Sequence, residues 1–166
     1  MYQPYPTSGQ QPMAPVPADP PQTVRRAVNL MYAGAALSAI EIIIGLFTVG
    51  SLKSAIRSQY PNYSASQIHT AQVAALTVAV VVGLLGVGLW IWMARANLAG
   101  RTWARIVATV LFAINTIDLL AAIVQPHSVV SLVLAVLVWL VGLGAIFMLW
   151  QRESSAYFQA RSARFR

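Results

Sequence analysis

Two acidic residues, Glu41 and Asp118, lie inside long apolar stretches of the sequence and are the residues best placed to do chemistry. An ionised carboxylate in the middle of a bilayer costs about 2.5–3.5 kcal/mol or more, so acids there normally face the interior of a helix bundle. The apolar stretches contain no Lys or Arg that could pair with them. Because leaving water disfavours the charged form, we expect at least one of the two acids to be protonated at rest.

Small and polar residues accompany each acid at helical spacing. Steps of three or four residues define two series: Gly34, Ser38, Glu41, Gly45 and Thr48; and Asn115, Asp118, Ala122 and Gln125. Residues spaced in this way lie along one face of a helix. The two faces could point at each other. With the orientation predicted below from the basic residues, both acids would lie in the half of the membrane away from the cytoplasm.

Two histidines extend this pattern, because His69 and His127 stand at the outer ends of the second and fourth apolar stretches. One interpretation is a proton-relay or cation-binding site made of Glu41, Asp118, His69 and His127. A supporting polar face would then consist of Ser38, Thr48, Asn115 and Gln125. The other interpretation is that neutral acids hydrogen-bond to Ser38, Asn115 or the backbone and only hold helices together. The residues alone leave both open.

The composition indicates a membrane protein. Hydrophobic residues make up 58% of the chain and charged residues 9%, whereas a soluble domain carries about 25% charged residues. Four stretches are long enough to cross a hydrocarbon core of about 30 Å; they cover about residues 28–49, 71–94, 104–124 and 129–150. We therefore predict an all-α, four-helix transmembrane bundle within residues 25–152. It could consist of two repeated helical hairpins, because residues 36–43 resemble residues 113–120.

The segments outside the spans are expected to differ in structure. Residues 1–24 are rich in proline and are expected to form a disordered tail, whereas residues 153–166 form a basic tail. A short interfacial helix is plausible after residue 51. The sequence from Ser64 to Gln67 is typical of a capping box, so a helix is expected to start there.

The basic residues predict the orientation of the chain. Nine of the eleven lie in the two tails and in the connection between the second and third spans, and only Lys53 and Arg57 lie on the other side. The positive-inside rule then puts both termini in the cytoplasm and the chain in the plasma membrane. Six arginines are expected to contact anionic lipid headgroups: Arg95, Arg101, Arg105, Arg161, Arg164 and Arg166.

Several function classes are disfavoured. Without cysteine the chain has no disulfide, thiolate metal site or cysteine nucleophile. It contains no metalloprotease, phosphate-loop or nucleophile–base motif, so we expect no enzymatic activity, metal site or cofactor. No nucleic-acid-binding module is recognisable. The expected partners are the lipid bilayer, its anionic headgroups, and another membrane protein or a second copy of this chain.

One segment carries a family resemblance. The run from Trp90 to Ile106, WIWMARANLAGRTWARI, resembles a recurring pattern in small, uncharacterised four-span membrane proteins of actinobacteria. In that pattern a span ends with Trp and a basic residue, and a Gly-Arg-x-Trp-Ala-Arg turn opens the next. The stretch YPNYSASQ and the Pro-rich N-terminal tail are similar to the same group. The resemblance implies a four-span topology and a diderm-like envelope setting, and it transfers no functional residue.

Three functional hypotheses follow. The first is a non-enzymatic accessory or scaffold subunit of a membrane complex, which the short connections and the lack of a site motif favour. The second is a small proton- or cation-coupled transporter that uses Glu41 and Asp118. The third is an envelope sensor that signals through the Pro-rich tail.

Overall fold

The structure is a computed structural model that describes residues 19–124 and 129–162. Over these residues it contains helices and no strand, which confirms the predicted all-helical fold. The helices are α1 (Gln22–Phe47), α2 (Val49–Gln59), α3 (Ala65–Leu98), α4 (Thr102–Ile123), α5 (Val129–Leu149) and α6 (Arg152–Ser162). The predictions for Gln125, His127, Arg164, Arg166 and most of the N-terminal tail lie outside the described residues.

Four of the helices, α1, α3, α4 and α5, are long and apolar enough to cross a membrane. The chain is therefore a multi-pass membrane protein, as its composition predicted. Helix α3 has 34 residues and measures about 51 Å at 1.5 Å per residue. It is longer than a hydrocarbon core of about 30 Å, so part of it extends beyond the bilayer.

The segment between α1 and α3 forms its own short helix and a capped turn. Helix α2 has no buried residue and carries Lys53 and Arg57, as expected of a helix at the membrane surface. The predicted capping box at the start of α3 is confirmed. The Ser64 amide donates to Oε1 of Gln67 at 2.8 Å, and the Gln67 amide donates to the Ser64 hydroxyl at 3.3 Å.

The four long helices are arranged around α1. Helix α1 packs along both α3 and α5, and α4 packs along α5. By contrast, α3 and α4 make few contacts with each other although they are consecutive. The rings of Trp92 and Trp103 meet next to the α3–α4 connection. The pairs α1–α3 and α4–α5 match the two predicted hairpins in chain order. Their origin by duplication stays a prediction.

The bundle has two different ends, which we call the hinge end and the loop end. The hinge end holds the α3–α4 connection, the start of α1, the end of α5 and all of α6. The loop end holds α2 and the start of α3. A buried core occupies the hinge end, and its members are Val24, Ala27, Val28, Met31, Met93, Ala94, Ala108, Ala145, Leu149, Tyr157 and Phe158.

Helix α6 is the main departure from the sequence analysis, which treated residues 153–166 as a basic tail. It folds back over the hinge end, and Phe158 is fully buried there. The Tyr157 hydroxyl donates to the carbonyl of Leu98 at 3.1 Å. Gly100 makes this approach possible, because its φ is +72° and an added Cβ would lie 2.9 Å from Tyr157 Cε1.

Candidate functional site

A cavity of about 560 Å³ lies between α1, α3, α4 and α5. Ser38 and Glu41 of α1 and Asn115 and Asp118 of α4 line it together. The structure thus brings both predicted acids, and two of the four predicted supporting residues, into one site. The rest of the lining is mostly apolar. Ser38, Glu41 and Asn115 are partly buried within it, whereas Asp118 is exposed.

Small residues explain why the helices can surround a cavity and still touch. A Cβ on Gly83 would lie 2.7 Å from Ile42 Cγ1, so α1 and α3 approach closely beside Glu41. Towards the hinge end, a Cβ on Gly34 would lie 3.0 Å from the Trp90 ring. Close approach at these glycines fixes α3 against α1, because their side chains would otherwise separate the helices.

The cavity is chemically asymmetric along the bundle axis. Met31, Trp90 and Met93 line its part nearer the hinge end, whereas Glu41 and Asp118 line the part nearer the loop end. Phe112 lies between these levels, and its ring packs against Gly142 of α5. An aromatic and thioether surface therefore faces one end of any occupant, and carboxyl groups face the other.

None of the four polar side chains in the cavity has a hydrogen bond or ion pair with another described residue. In a bilayer no surrounding water satisfies such groups, and each unsatisfied group costs several kcal/mol. Lipid tails offer no hydrogen bond, so a purely apolar filling is unfavourable. Water, a cation or another polar group in the cavity would supply the missing partners.

The remaining predicted members of the site are not brought into the cavity by the described structure. His69 is exposed on the first turns of α3. It lies fourteen residues before Gly83, or about 21 Å along the helix. Thr48 lies between α1 and α2, where its hydroxyl donates to the carbonyl of Ile44 at 3.0 Å. Gln125 and His127 lie outside the described residues.

The arginines predicted to contact lipid headgroups have different surroundings. Arg95 and Arg101 are exposed at the α3–α4 connection. The Arg105 guanidinium instead lies 4.2 Å from the Trp150 ring centroid, and its Nη1 donates to the Ser155 hydroxyl at 3.0 Å. Arg161 lies over the Tyr157 ring at 5.4 Å. Arg105 thus fastens α6 to the bundle through Ser155 and the Phe158 ring, whose centroid lies 5.4 Å away. The contact between Arg161 and Tyr157 lies within α6.

Sequence reasoning identified the acids and missed most of the lining. Intramembrane charge made Glu41 and Asp118 conspicuous, whereas Trp90 stood out only as the start of the run that carries the family resemblance. Gly34 next to Ser38 and Glu41 on one helical face was a usable signal, because a glycine leaves room for a facing ring. No group of three or more His, Asp or Glu side chains that could hold a metal ion occurs within the described ranges.

Comparisons of the chain with protein-family models, with curated proteins and with solved structures found no match.

Proposed function

We propose that this protein is a small proton- or cation-coupled transporter whose binding site is the cavity lined by Glu41 and Asp118. The observation that carries the proposal is the convergence of two carboxyl groups from α1 and α4 on one cavity without a partner from the described chain. Such a pair can hold a proton or a cation and release one when it takes the other.

The arrangement supports exchange because two carboxylates that line one cavity repel each other, and a counter-charge offsets that repulsion. A bound cation supplies that charge. Its arrival therefore favours loss of a proton from one carboxyl, and its departure favours uptake of a proton. Coupling between cation and proton follows from electrostatics alone.

The scaffold hypothesis relies on helix packing and on partners, and it gives the two acids no role in the cavity. In the structural interpretation of the acids, neutral carboxyls hydrogen-bond to Ser38, Asn115 or the backbone, and the described residues contain no such bond to either acid. The sensor hypothesis rests on residues 1–24, most of which lie outside the described residues. Transport is therefore the function that the geometry supports best.

The test is cation-driven proton movement in reconstituted vesicles. Purified protein in phosphatidylcholine–phosphatidylglycerol vesicles, acidic inside, is challenged with Na⁺, K⁺ or benzyltriethylammonium while an entrapped dye reports internal pH. We expect at least one cation to raise the internal pH through the wild-type chain. The double variant Glu41→Gln, Asp118→Asn should respond like empty vesicles.

The matched control is Glu153→Gln, which removes an exposed acid on α6 away from the cavity. It should keep the wild-type response. If the double variant responds as the wild type does to every cation, or if the inserted wild-type protein responds to none, the transporter proposal is wrong.

A further inference from the structure

We infer that the ligand of this cavity is a lipophilic organic cation of drug size that enters from the bilayer between α3 and α4. This inference rests on the proposed function and adds to it the class of ligand and the route. Three features support it: the shape of the opening, the size and charge of the cavity, and the aromatic surface inside it.

The cavity opens sideways, between α3 and α4. These helices make few contacts with each other, and two residues that line the cavity from their facing sides are also exposed: Val82 is 60% exposed and Ile114 50%. Val82 precedes Trp92 by ten residues and Ile114 follows Trp103 by eleven. Both therefore lie about 15–17 Å from the Trp92–Trp103 contact. They form two edges of one opening at the same depth.

An opening at that depth faces lipid. Val82 and Ile114 lie well inside helices that cross the bilayer, and both rims are apolar. A hydrated inorganic ion would have to shed its water and cross hydrocarbon to use this route. A molecule with an apolar body already partitions into the membrane and can move laterally into the cavity.

The size and charge of the cavity match such a molecule. Its volume of about 560 Å³ lies within the range of roughly 300–1,000 Å³ typical of sites for drug-sized ligands. The described lining contains Glu41 and Asp118 and no basic side chain, so the complementary ligand carries positive charge. Inorganic cations would leave most of this volume unfilled, and only two of the described lining side chains are carboxylates.

The lining also provides for the apolar part of the ligand. With its cationic group at Glu41 and Asp118, the body of the ligand would extend along α3 towards Trp90 and Met93. Phe112 and Trp90 offer ring faces on which a flat or cationic group can stack. Because the acids lie at one end of the cavity and the rings at the other, the ligand would bind in one orientation.

Equilibrium binding tests the ligand class, with benzyltriethylammonium as the probe and isothermal calorimetry on the full chain in lipid nanodiscs as the measurement. We expect Glu41→Gln to weaken binding by about tenfold or more, because it removes a charge from a low-dielectric site. Trp90→Leu should weaken it by about three- to tenfold. The control Trp92→Leu changes an exposed tryptophan outside the cavity and should bind as the wild type does.

The route is tested by blocking the opening. Val82→Trp and Ile114→Trp place bulky rings on its two rims, and their controls are Leu84→Trp and Leu120→Trp. Leu84 and Leu120 are 59% and 61% exposed on other faces of the same helices and do not line the cavity. We expect the rim variants to slow association of the probe by about tenfold, since entry then needs the ring to move aside. The control variants should associate at the wild-type rate.

The outcomes separate this inference from the function on which it rests. Proton movement driven by Na⁺ or K⁺ but not by benzyltriethylammonium overturns the ligand class and leaves the transporter proposal intact. Equal association rates in rim and control variants overturn the lateral route alone. A wild-type protein that responds to no cation and binds no probe overturns both the inference and the proposed function.

Discussion

The hinge end and the loop end of the bundle are built from the same four helices, but the polar side chains of α6 and those of the cavity differ in their hydrogen bonding. At the hinge end, Tyr157 bonds to the Leu98 carbonyl and Ser154 donates to the Met148 carbonyl at 2.7 Å. Towards the loop end, Glu41 and Asp118 line a cavity without a partner among the described residues. These bonds fasten α6 to the hinge end, although Oδ1 of the buried Asn97 accepts no hydrogen bond from a described residue there. The four polar side chains that line the cavity are available to an occupant.

This difference arises from what covers each end. Helix α6 folds over the hinge end and fills it with Tyr157 and Phe158. Helix α2 lies at the loop end and buries none of its residues. Substitutions at the two ends should therefore affect stability and function separately, and the following predictions run from the largest expected effect to the smallest.

The largest effect is expected from Phe158→Ala, which empties the centre of the hinge-end core. Phe158 is 0% exposed and its ring lies 5.4 Å from the Arg105 guanidinium carbon. The free energy of unfolding in mild detergent should fall by about 3–5 kcal/mol. Phe147→Ala is the control, since Phe147 is 68% exposed on α5. Equal losses in the two variants would contradict the assignment of the core to the hinge end.

A smaller loss is expected from Gly100→Ala. The positive φ of Gly100 disfavours any Cβ by about 1–2 kcal/mol, and the added methyl would also collide with Tyr157 and Arg161 of α6. Unfolding monitored by circular dichroism should show this decrease. Gly86→Ala is the contrasting change, because an added Cβ there meets nothing within 4 Å, and its stability should hold or rise. The comparison between the ends fails if Gly86→Ala is the more damaging of the two.

Part of this fold was predictable from the sequence, and the role of α6 was not. Hydropathy and length identified the four spans, and the capping box at Ser64 was visible as a local motif. The role of α6 was not visible, because Tyr157, Phe158 and Arg161 among polar residues are equally typical of a segment lying on lipid. Whether this segment lies on lipid or packs against the bundle depends on contacts between α6 and residues far away in the sequence, and no local pattern specifies those contacts.

The site was predictable to a similar degree. Glu41 and Asp118 were conspicuous because charge within a span is costly, and their helical series correctly joined them to Ser38 and Asn115. The contribution of α3 was hidden, since Gly83 and Trp90 belong to patterns common in any membrane helix. Which face of α3 turns towards α1 depends on packing between helices, and no local pattern specifies it.

An intermediate effect is expected from Tyr157→Phe, which keeps the ring in place and removes its hydroxyl. The Leu98 carbonyl loses this donor at the start of the α3–α4 connection, so the free energy of unfolding should fall by about 1 kcal/mol. Tyr63→Phe is the control, because Tyr63 is exposed and stacks on Tyr60 through its ring alone. A neutral Tyr157→Phe would mean that ring packing, and not this hydrogen bond, holds α6.

The smallest effect on stability is expected from Glu41→Gln. The carboxyl has no ion pair or hydrogen bond with a described residue, so the free energy of unfolding should change by no more than about 0.5 kcal/mol. Denaturant unfolding in the same detergent measures this. A loss as large as that of Phe158→Ala would show that Glu41 links helices, as in the structural interpretation of the acids, and would contradict this account.

The central claim is that the bundle encloses a polar cavity beside Glu41, and cysteine accessibility tests it most directly. The chain has no cysteine, so a single thiol can be placed at Ser38 in the cavity, at lipid-facing Ile43 or at buried Ser154. A methanethiosulfonate with an apolar, cationic head partitions into the bilayer and can use the opening between α3 and α4, but it reacts only with a hydrated thiolate. The account predicts rapid labelling of Ser38→Cys, with Ile43→Cys and Ser154→Cys nearly inert. Labelling of Ser38→Cys as slow as that of Ile43→Cys would contradict it.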